Sequence, residues 1–131
     1  MTDRKVQMPK ILVIDDDNAV REILYESLSQ YGYDIRCARD GEEALDIVQQ
    51  EYLPDLVISD IIMPKKEGIE TIIELRKMLP DVKVIAISGG GRTKAGDFLQ
   101  LARKLGANIS VEKPIDMDYL EQAVAGLLSH G

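Results

Sequence analysis

The sequence predicts an α/β fold: a five-stranded parallel sheet, doubly wound, in the flavodoxin-like strand order 2-1-3-4-5 with five helices. Short apolar runs alternate with longer stretches of helical period, and three of the runs are nearly continuous in Ile, Val and Leu, as strands buried on both faces are. Such β–α units in series, joined by right-handed crossovers, place helices on both faces of one sheet. A length of 131 residues matches one ordinary domain.

The expected strands are ILVI (11–14), IRCA (35–38), DLVIS (55–59), KVIAIS (83–88) and NISV (108–111). Between them, apolar residues recur at helical spacing and read as core-facing stripes. Val20, Ile23, Leu24, Leu28 and Tyr31 share one face of the first helix. The second opens on Asp40 and Glu43, spaced as a capping box, and continues with Ala44, Leu45 and Val48. Ile69, Ile72, Ile73 and Leu79 mark the third, which Pro80 stops. Ala95, Phe98, Leu101, Ala102 and Leu105 mark the fourth, with Gly106 placed as its C-terminal cap. Leu120, Ala123, Val124, Leu127 and Leu128 mark the last. Residues 1–9 read as a flexible tail and 10–129 as the domain, with no segment left over for an output domain.

Composition narrows the function. The chain is 45% apolar and 30% charged, as folded globular proteins are. No apolar run approaches the ~20 residues of a membrane span, and MTDRKVQMPK has no signal-peptide core. Cys37 is the only cysteine, so no internal disulfide forms, and it reads as a small half-buried hydrophobe. These features point to the cytoplasm without membrane insertion. Sixteen basic against 23 acidic residues give a net charge of −7, which argues against direct nucleic-acid binding.

In open parallel sheets functional groups gather beyond the carboxyl ends of the strands. Those ends carry Asp15, Asp16 and Asp17 after the first strand, Asp60 after the third, Ser88 after the fourth and Lys113–Pro114 after the fifth. In the order 2-1-3-4-5, at ~4.8 Å per strand, the acidic cluster and Ser88 flank Asp60. Lys113 lies two strands away, roughly 10 Å, a gap a long flexible side chain can cross. Converging carboxylates repel unless a cation sits among them, and oxygen-only ligands suit Mg²⁺. A carboxylate can attack a phosphoryl group to give an aspartyl phosphate. That transfer needs positioning and charge neutralisation; Mg²⁺ and Lys113 supply the neutralisation, with Ser88 donating to a phosphoryl oxygen. Each residue also has a plainer use: Asp17 as a helix cap, Asp60 as a turn residue, Ser88 as a strand-end hydroxyl, Lys113 as a solvated charge. It is their joint placement on four strand ends that favours the chemistry.

At these residues the sequence resembles the response-regulator receiver family of two-component signalling, CheY-like, over residues 10 to 129. ILVIDDD resembles the family's opening motif, which implies Asp15 and Asp16 as metal ligands. PDLVISDIIMPKKEG resembles the phosphorylation region, which implies Asp60 as phosphoacceptor and metal ligand and the Ile62 backbone carbonyl as a further ligand. Met63 through Gly68, the MP-x-x-x-G stretch, shapes the turn that follows. VKVIAIS ends at Ser88 in the family's hydroxyl position, and GANISVEKP ends on the family's Lys, here Lys113, with a cis bond to Pro114 implied. The resemblance implies a single-domain switch, not an enzyme beyond its own phosphorylation and dephosphorylation. It also implies a histidine kinase or histidine phosphotransfer protein as phosphodonor, and a downstream protein as target.

Two positions depart from the family pattern. Ser110 stands where the family commonly has an aromatic residue that swings inward on activation, and Ser88 is followed by Gly89, Gly90 and Gly91, a supple loop. Because of those departures, activation is expected in the Gly89–Gly91 loop and the start of the fourth helix. The tract GGGRTK lacks P-loop spacing. One rival is a phosphatase of the haloacid-dehalogenase type, whose D-x-D-x-[TV] motif Asp15 and Asp17 half fit. Ala19 stands where Thr or Val belongs, however, the late acidic pair is missing, and Asp60 is left without a role. A second is a pseudo-receiver that binds proteins without phosphorylation, against which the full residue set speaks.

Overall fold

The structure is a computed structural model that describes residues 8–61, 67–89, 104 and 106–129. Its strands are β1 (Lys10–Ile14), β2 (Asp34–Ala38), β3 (Leu56–Asp60), β4 (Lys83–Ser88) and β5 (Ile109–Glu112). They form one parallel five-stranded sheet in the order β2-β1-β3-β4-β5. The described helices are α1 (Asn18–Ser29), α2 (Gly41–Gln49), α3 (Glu67–Met78) and α4 (Met117–Ser129). The helix expected over residues 95–105 lies outside the described residues except for Lys104, which is helical. Gly106, expected as its cap, has φ +78°, the left-handed conformation such a cap adopts.

Alternation along the strands builds two cores. Leu12, Ile14, Val57, Val84 and Ala86 pack on one face with Ala44 and Val48 of α2 and Ile72 and Leu75 of α3. Ile11, Val13, Leu56, Ile58, Ile85 and Ile87 pack on the other with Leu24 and Leu28 of α1 and Leu120 and Val124 of α4. Both faces of β1, β3 and β4 are thereby covered, which is why those runs are apolar without interruption. The edge strand β2 instead exposes Arg36 and leaves Cys37 half-buried, with burial raising the thiol pKa.

Helix starts follow the sequence signals. Asp17 caps α1, its Oδ1 accepting from Ala19 N at 2.9 Å. Asp40 Oδ1 accepts from Glu43 N at 2.9 Å. The return bond of a regular capping box goes elsewhere: Glu43 Oε1 accepts from Arg39 N at 2.7 Å, one residue before the cap.

Two expected stripes are narrower than their periodicity suggests. Gly32, at φ +85°, turns the chain just after α1. Tyr31 therefore lies beyond the helix, 57% exposed, and its hydroxyl donates to Glu121 Oε1 at 2.7 Å. Ile23 of α1 and Ile73 of α3 are likewise exposed, while Leu75 of α3 is buried.

Tyr52 fastens the amino ends of the sheet. It is 4% exposed, Arg36 stacks on its ring at 4.7 Å, and its hydroxyl is shared between Ile11 O at 3.1 Å and Asp34 O at 2.7 Å. Burial raises its pKa, so the phenol keeps its proton and donates. Tyr52→Phe leaves those carbonyls short of a donor and is expected to cost about 1–3 kcal/mol in a urea unfolding experiment. A wild-type midpoint would show that the latch contributes nothing.

Candidate functional site

The strand register assembles the site. Ile14 of β1 lies opposite Ser59 of β3, so the next residues, Asp15 and Asp60, stand side by side. Asp60 lies opposite Ile87 of β4, one residue before Ser88. Ser88 in turn lies opposite Glu112 of β5, so Lys113 follows at the same edge, its N–H donating to Ser88 O at 2.8 Å. Four strands thus deliver Asp15, Asp60, Ser88 and Lys113 to one rim. The Lys113–Pro114 peptide bond is cis, as the resemblance implied.

Asp15, Asp60 and Ser88 are buried and Asp16 is exposed. One carboxylate oxygen from each of Asp15, Asp16 and Asp60 lies within 4.8 Å of the others, a group that can hold a metal ion. Lys113 reaches farther than expected, past Asp60 to the end of β1. Its Nζ donates to Asp60 Oδ2 at 3.2 Å and lies 3.1 Å from Asp15 Oδ2 and 3.5 Å from Asp15 Oδ1.

The two oxygens of Asp15 are used differently. Oδ1 accepts from Asp17 N at 2.8 Å, closing the turn into α1. Oδ2 is buried and, although close to the Lys113 ammonium, accepts no hydrogen bond of good direction. A buried anionic oxygen without a donor, on a carboxylate that lies beside two more, fits a hard cation that takes oxygen ligands. Among the described residues, three carboxylates against one ammonium also leave a charge that a divalent ion would balance.

The electrostatics agree. Burial raises the Asp15 pKa above its usual value; the bonds from Asp17 and Lys113 pull it back only in part, and Asp60 pushes it up further. Burial alone would lower the Lys113 pKa, but its hydrogen bonds and attraction to Asp15 and Asp60 outweigh that, and the net shift is upward. Lys113 therefore stays charged, and Asp15 ionises at a cost to the metal-free fold.

Ile62, Met63 and Pro64, with Gly90 and Gly91, lie outside the described residues. Ser110 is half-buried on β5, opposite Ala86. A residue that the pattern-based reading passed over is Arg21, whose Nη1 donates to Asp15 O at 2.7 Å and whose Nη2 donates to Asn18 Oδ1 at 2.8 Å. Its signal was a cation in the first turns of a helix, where the dipole disfavours one.

The response regulator receiver domain profile matches residues 11–125. The chain is 40% identical over 126 residues to a probable transcriptional regulator ycf27 of Cyanophora paradoxa, covering 95% of this chain and 50% of that protein. It is 36% identical over 115 residues to sporulation initiation phosphotransferase F of Bacillus subtilis (strain 168), covering 88% of this chain and 90% of that protein. The solved receiver domain of the Francisella response regulator 1452 matches with a TM-score of 0.80 at 29% identity, covering 93% of this chain and 98% of that one. The chain belongs to the response regulator receiver domain family, and is a receiver domain of two-component signalling with the CheY-like fold. The chain spans about half the length of the ycf27 relatives it matches. Receiver domains of response regulators are phosphorylated by histidine kinases or phosphotransferases. No helix among the described residues is long and apolar enough to cross a membrane.

Asp15→Asn keeps the oxygen that accepts from Asp17 and removes a buried charge. It is expected to raise the urea midpoint of the metal-free protein at neutral pH. Because the folded-state pKa of Asp15 is raised, the destabilisation is fully present above that pKa. The gain should therefore shrink as pH falls through the raised pKa towards 3.8, where both forms are neutral at this position. A lower midpoint for Asp15→Asn at neutral pH would mean that Lys113 more than offsets the burial.

Proposed function

We propose that the protein is a phosphoacceptor switch of a histidine–aspartate phosphorelay, phosphorylated on Asp60 in a Mg²⁺-dependent reaction. The observation that carries this reading is the Asp60 carboxylate, buried at the end of β3, 3.2 Å from the Lys113 ammonium and within 4.8 Å of the Asp15 and Asp16 oxygens. An Asp60 oxygen forms a bond to phosphorus as the bond from phosphorus to the donor's leaving group breaks; with a phosphohistidine donor the imidazole leaves with the electron pair. Lys113 offsets the charge gathered on the phosphoryl oxygens, and the Ser88 hydroxyl donates to one of them. Asp15, Asp16 and Asp60 would hold Mg²⁺, with the Ile62 backbone carbonyl as the resemblance implies, and the ion would supply further charge neutralisation.

On this reading the protein is a switch, not an enzyme beyond its own phosphorylation and dephosphorylation. The phosphodonor is a histidine kinase or histidine phosphotransfer protein, and the output is docking on a protein target or onward phosphoryl transfer. The matched relatives include a sporulation phosphotransferase covered to 90% and longer regulators covered to about half. The net charge of −7 supports a protein target over direct contact with nucleic acid. A cytoplasmic location fits a phosphodonor of that kind.

Acetyl phosphate with Mg²⁺ is expected to add one phosphoryl group, labile to hydroxylamine, and Asp60→Asn to abolish it. Intact and peptide mass spectrometry reads both. Modification of Asp15, the nucleophile of a haloacid-dehalogenase-type reaction, would overturn the assignment, and no modification at all would favour a pseudo-receiver.

Metal and phosphoryl roles separate in a second experiment. Asp16→Ala should weaken Mg²⁺ binding at least tenfold in calorimetry, since a charged ligand is lost. Lys113→Ala should leave that affinity unchanged or tighter, because a competing cation is gone, while slowing phosphorylation by ~100-fold. Equal loss of Mg²⁺ affinity in both variants would contradict the division.

A further inference from the structure

The exposed ligand of the acidic cluster, Asp16, sits between β1 and α1, on a loop only three residues long, 15–17. Its aim is set by the backbone on either side. That backbone is fixed at its start by the bond from Asp15 N to Ala38 O at 3.1 Å. At its end the Asp17 cap and the Arg21 N to Asp17 O bond at 3.1 Å hold it to α1. The middle has one further tether. Arg21 returns from the second turn of α1 and donates with Nη1 to the Asp15 carbonyl and with Nη2 to Asn18 Oδ1.

We propose that Arg21 is a positioning residue for the acidic cluster: its guanidinium ties the Asp15 carbonyl to the Asn18 side chain and so fixes the peptide between Asp15 and Asp16. The inference rests on the reading of this cluster as a Mg²⁺ site. Helix formation does not account for an arginine here. Asp17, four residues before Arg21, caps α1 and forms no ion pair with it, and a cation so close to a helix amino terminus is disfavoured by the dipole. A planar fork with two donors meets the geometry of two acceptors, one from the loop and one from the helix start. With both bonds made, the Asp15–Asp16 peptide cannot rotate without breaking one of them. The cost of ordering Asp16 is then borne by the fold and not by the cation, which raises metal affinity without Arg21 touching the metal.

The test is Mg²⁺ affinity of the unphosphorylated protein by calorimetry, beside urea unfolding of the same samples without metal. Arg21→Ala is expected to weaken Mg²⁺ binding roughly tenfold. Arg21→Lys, which can satisfy one acceptor but not the pair, should fall between that variant and wild type. Val124→Ala, a core truncation in α4, serves as the control: it lowers the unfolding midpoint and leaves Mg²⁺ affinity at the wild-type value. Should Arg21→Ala fail to fold, Asn18→Ala removes the second anchor from an exposed position and is expected to weaken binding as well. Wild-type affinity in a folded Arg21→Ala, or in Asn18→Ala where Arg21→Ala does not fold, overturns the proposal. So does an affinity loss in Val124→Ala equal to that in Arg21→Ala, since positioning would then be indistinguishable from lost stability. Failure of the wild-type protein to bind Mg²⁺ at all is a separate result, which removes the metal-site reading itself.

Discussion

Two carboxylates brought to the ends of neighbouring buried strands repel one another, and burial removes the water that would weaken the repulsion. Asp15 and Asp60 stand in that relation because β1 and β3 are adjacent and paired in register up to Ile14 and Ser59, the residues just before them. What holds the rim together is the ammonium of Lys113, 3.1 Å from one carboxylate and 3.2 Å from the other. To reach them it spans from β5 past β4 and β3 to β1, so the ion pairs tie the outer part of the sheet to its centre. The Lys113 N–H bond to Ser88 O anchors the same residue to β4. The compensation is incomplete: Asp15 keeps a raised pKa and an oxygen without a donor. Among the described residues one cation faces these carboxylates, and a rim of that kind is suited to receive another.

The legible part of this arrangement was the part written in periodicity and in strand-end chemistry. A strand buried on both faces reads as an uninterrupted run of Ile, Val and Leu, and the first polar residue after it marks where the sheet ends. Asp15, Asp60, Ser88 and Lys113 were all visible in that way, and strand order alone placed them at one rim. What stayed hidden depended on partners distant in sequence or on where a helix stops. Periodicity continued α1 to Tyr31, because a repeat of apolar residues cannot register that Gly32 turns the chain away. Tyr52 read as nothing in particular, since its two acceptors lie 41 and 18 residues away. Arg21 lies in none of the apolar stripes, caps or strand ends that the sequence displays. Its position against the helix dipole was the available clue, and weighing it required knowing that a loop carbonyl lay within reach.

The way the loop after β1 is built separates two demands that a single acidic residue would find hard to meet. A metal ligand must present a free oxygen, yet a ligand on a loop must also be held still. Asp15 meets both by giving Oδ1 to the Asp17 amide and leaving Oδ2 at the rim. Asp17 is spent on the helix cap and its backbone carbonyl on Arg21 N, so of the three consecutive aspartates it is the one committed to structure. Asp16, between two neighbours so tied, is left exposed, with one oxygen in the acidic cluster. Three identical residues in a row therefore take three different roles, and the difference comes from backbone hydrogen bonding, not from the side chains themselves.

On the opposite flank of the site the described side chains are small. Ser88 ends β4 with Gly89 next, and across the strand pair Ser110 lies opposite Ala86. Two small residues side by side leave little side-chain mass there to carry a displacement from the rim along β5. Lys113, by contrast, is linked to that flank through the backbone, since its amide donates to Ser88 O. On the proposed reading, a phosphoryl group on Asp60 would draw on the Lys113 ammonium, and the Lys113 N–H bond to Ser88 O joins that residue to the end of β4. Transmission through a paired main chain needs no bulky side chain on β5, so the small residue at position 110 is compatible with a rim that still responds to charge.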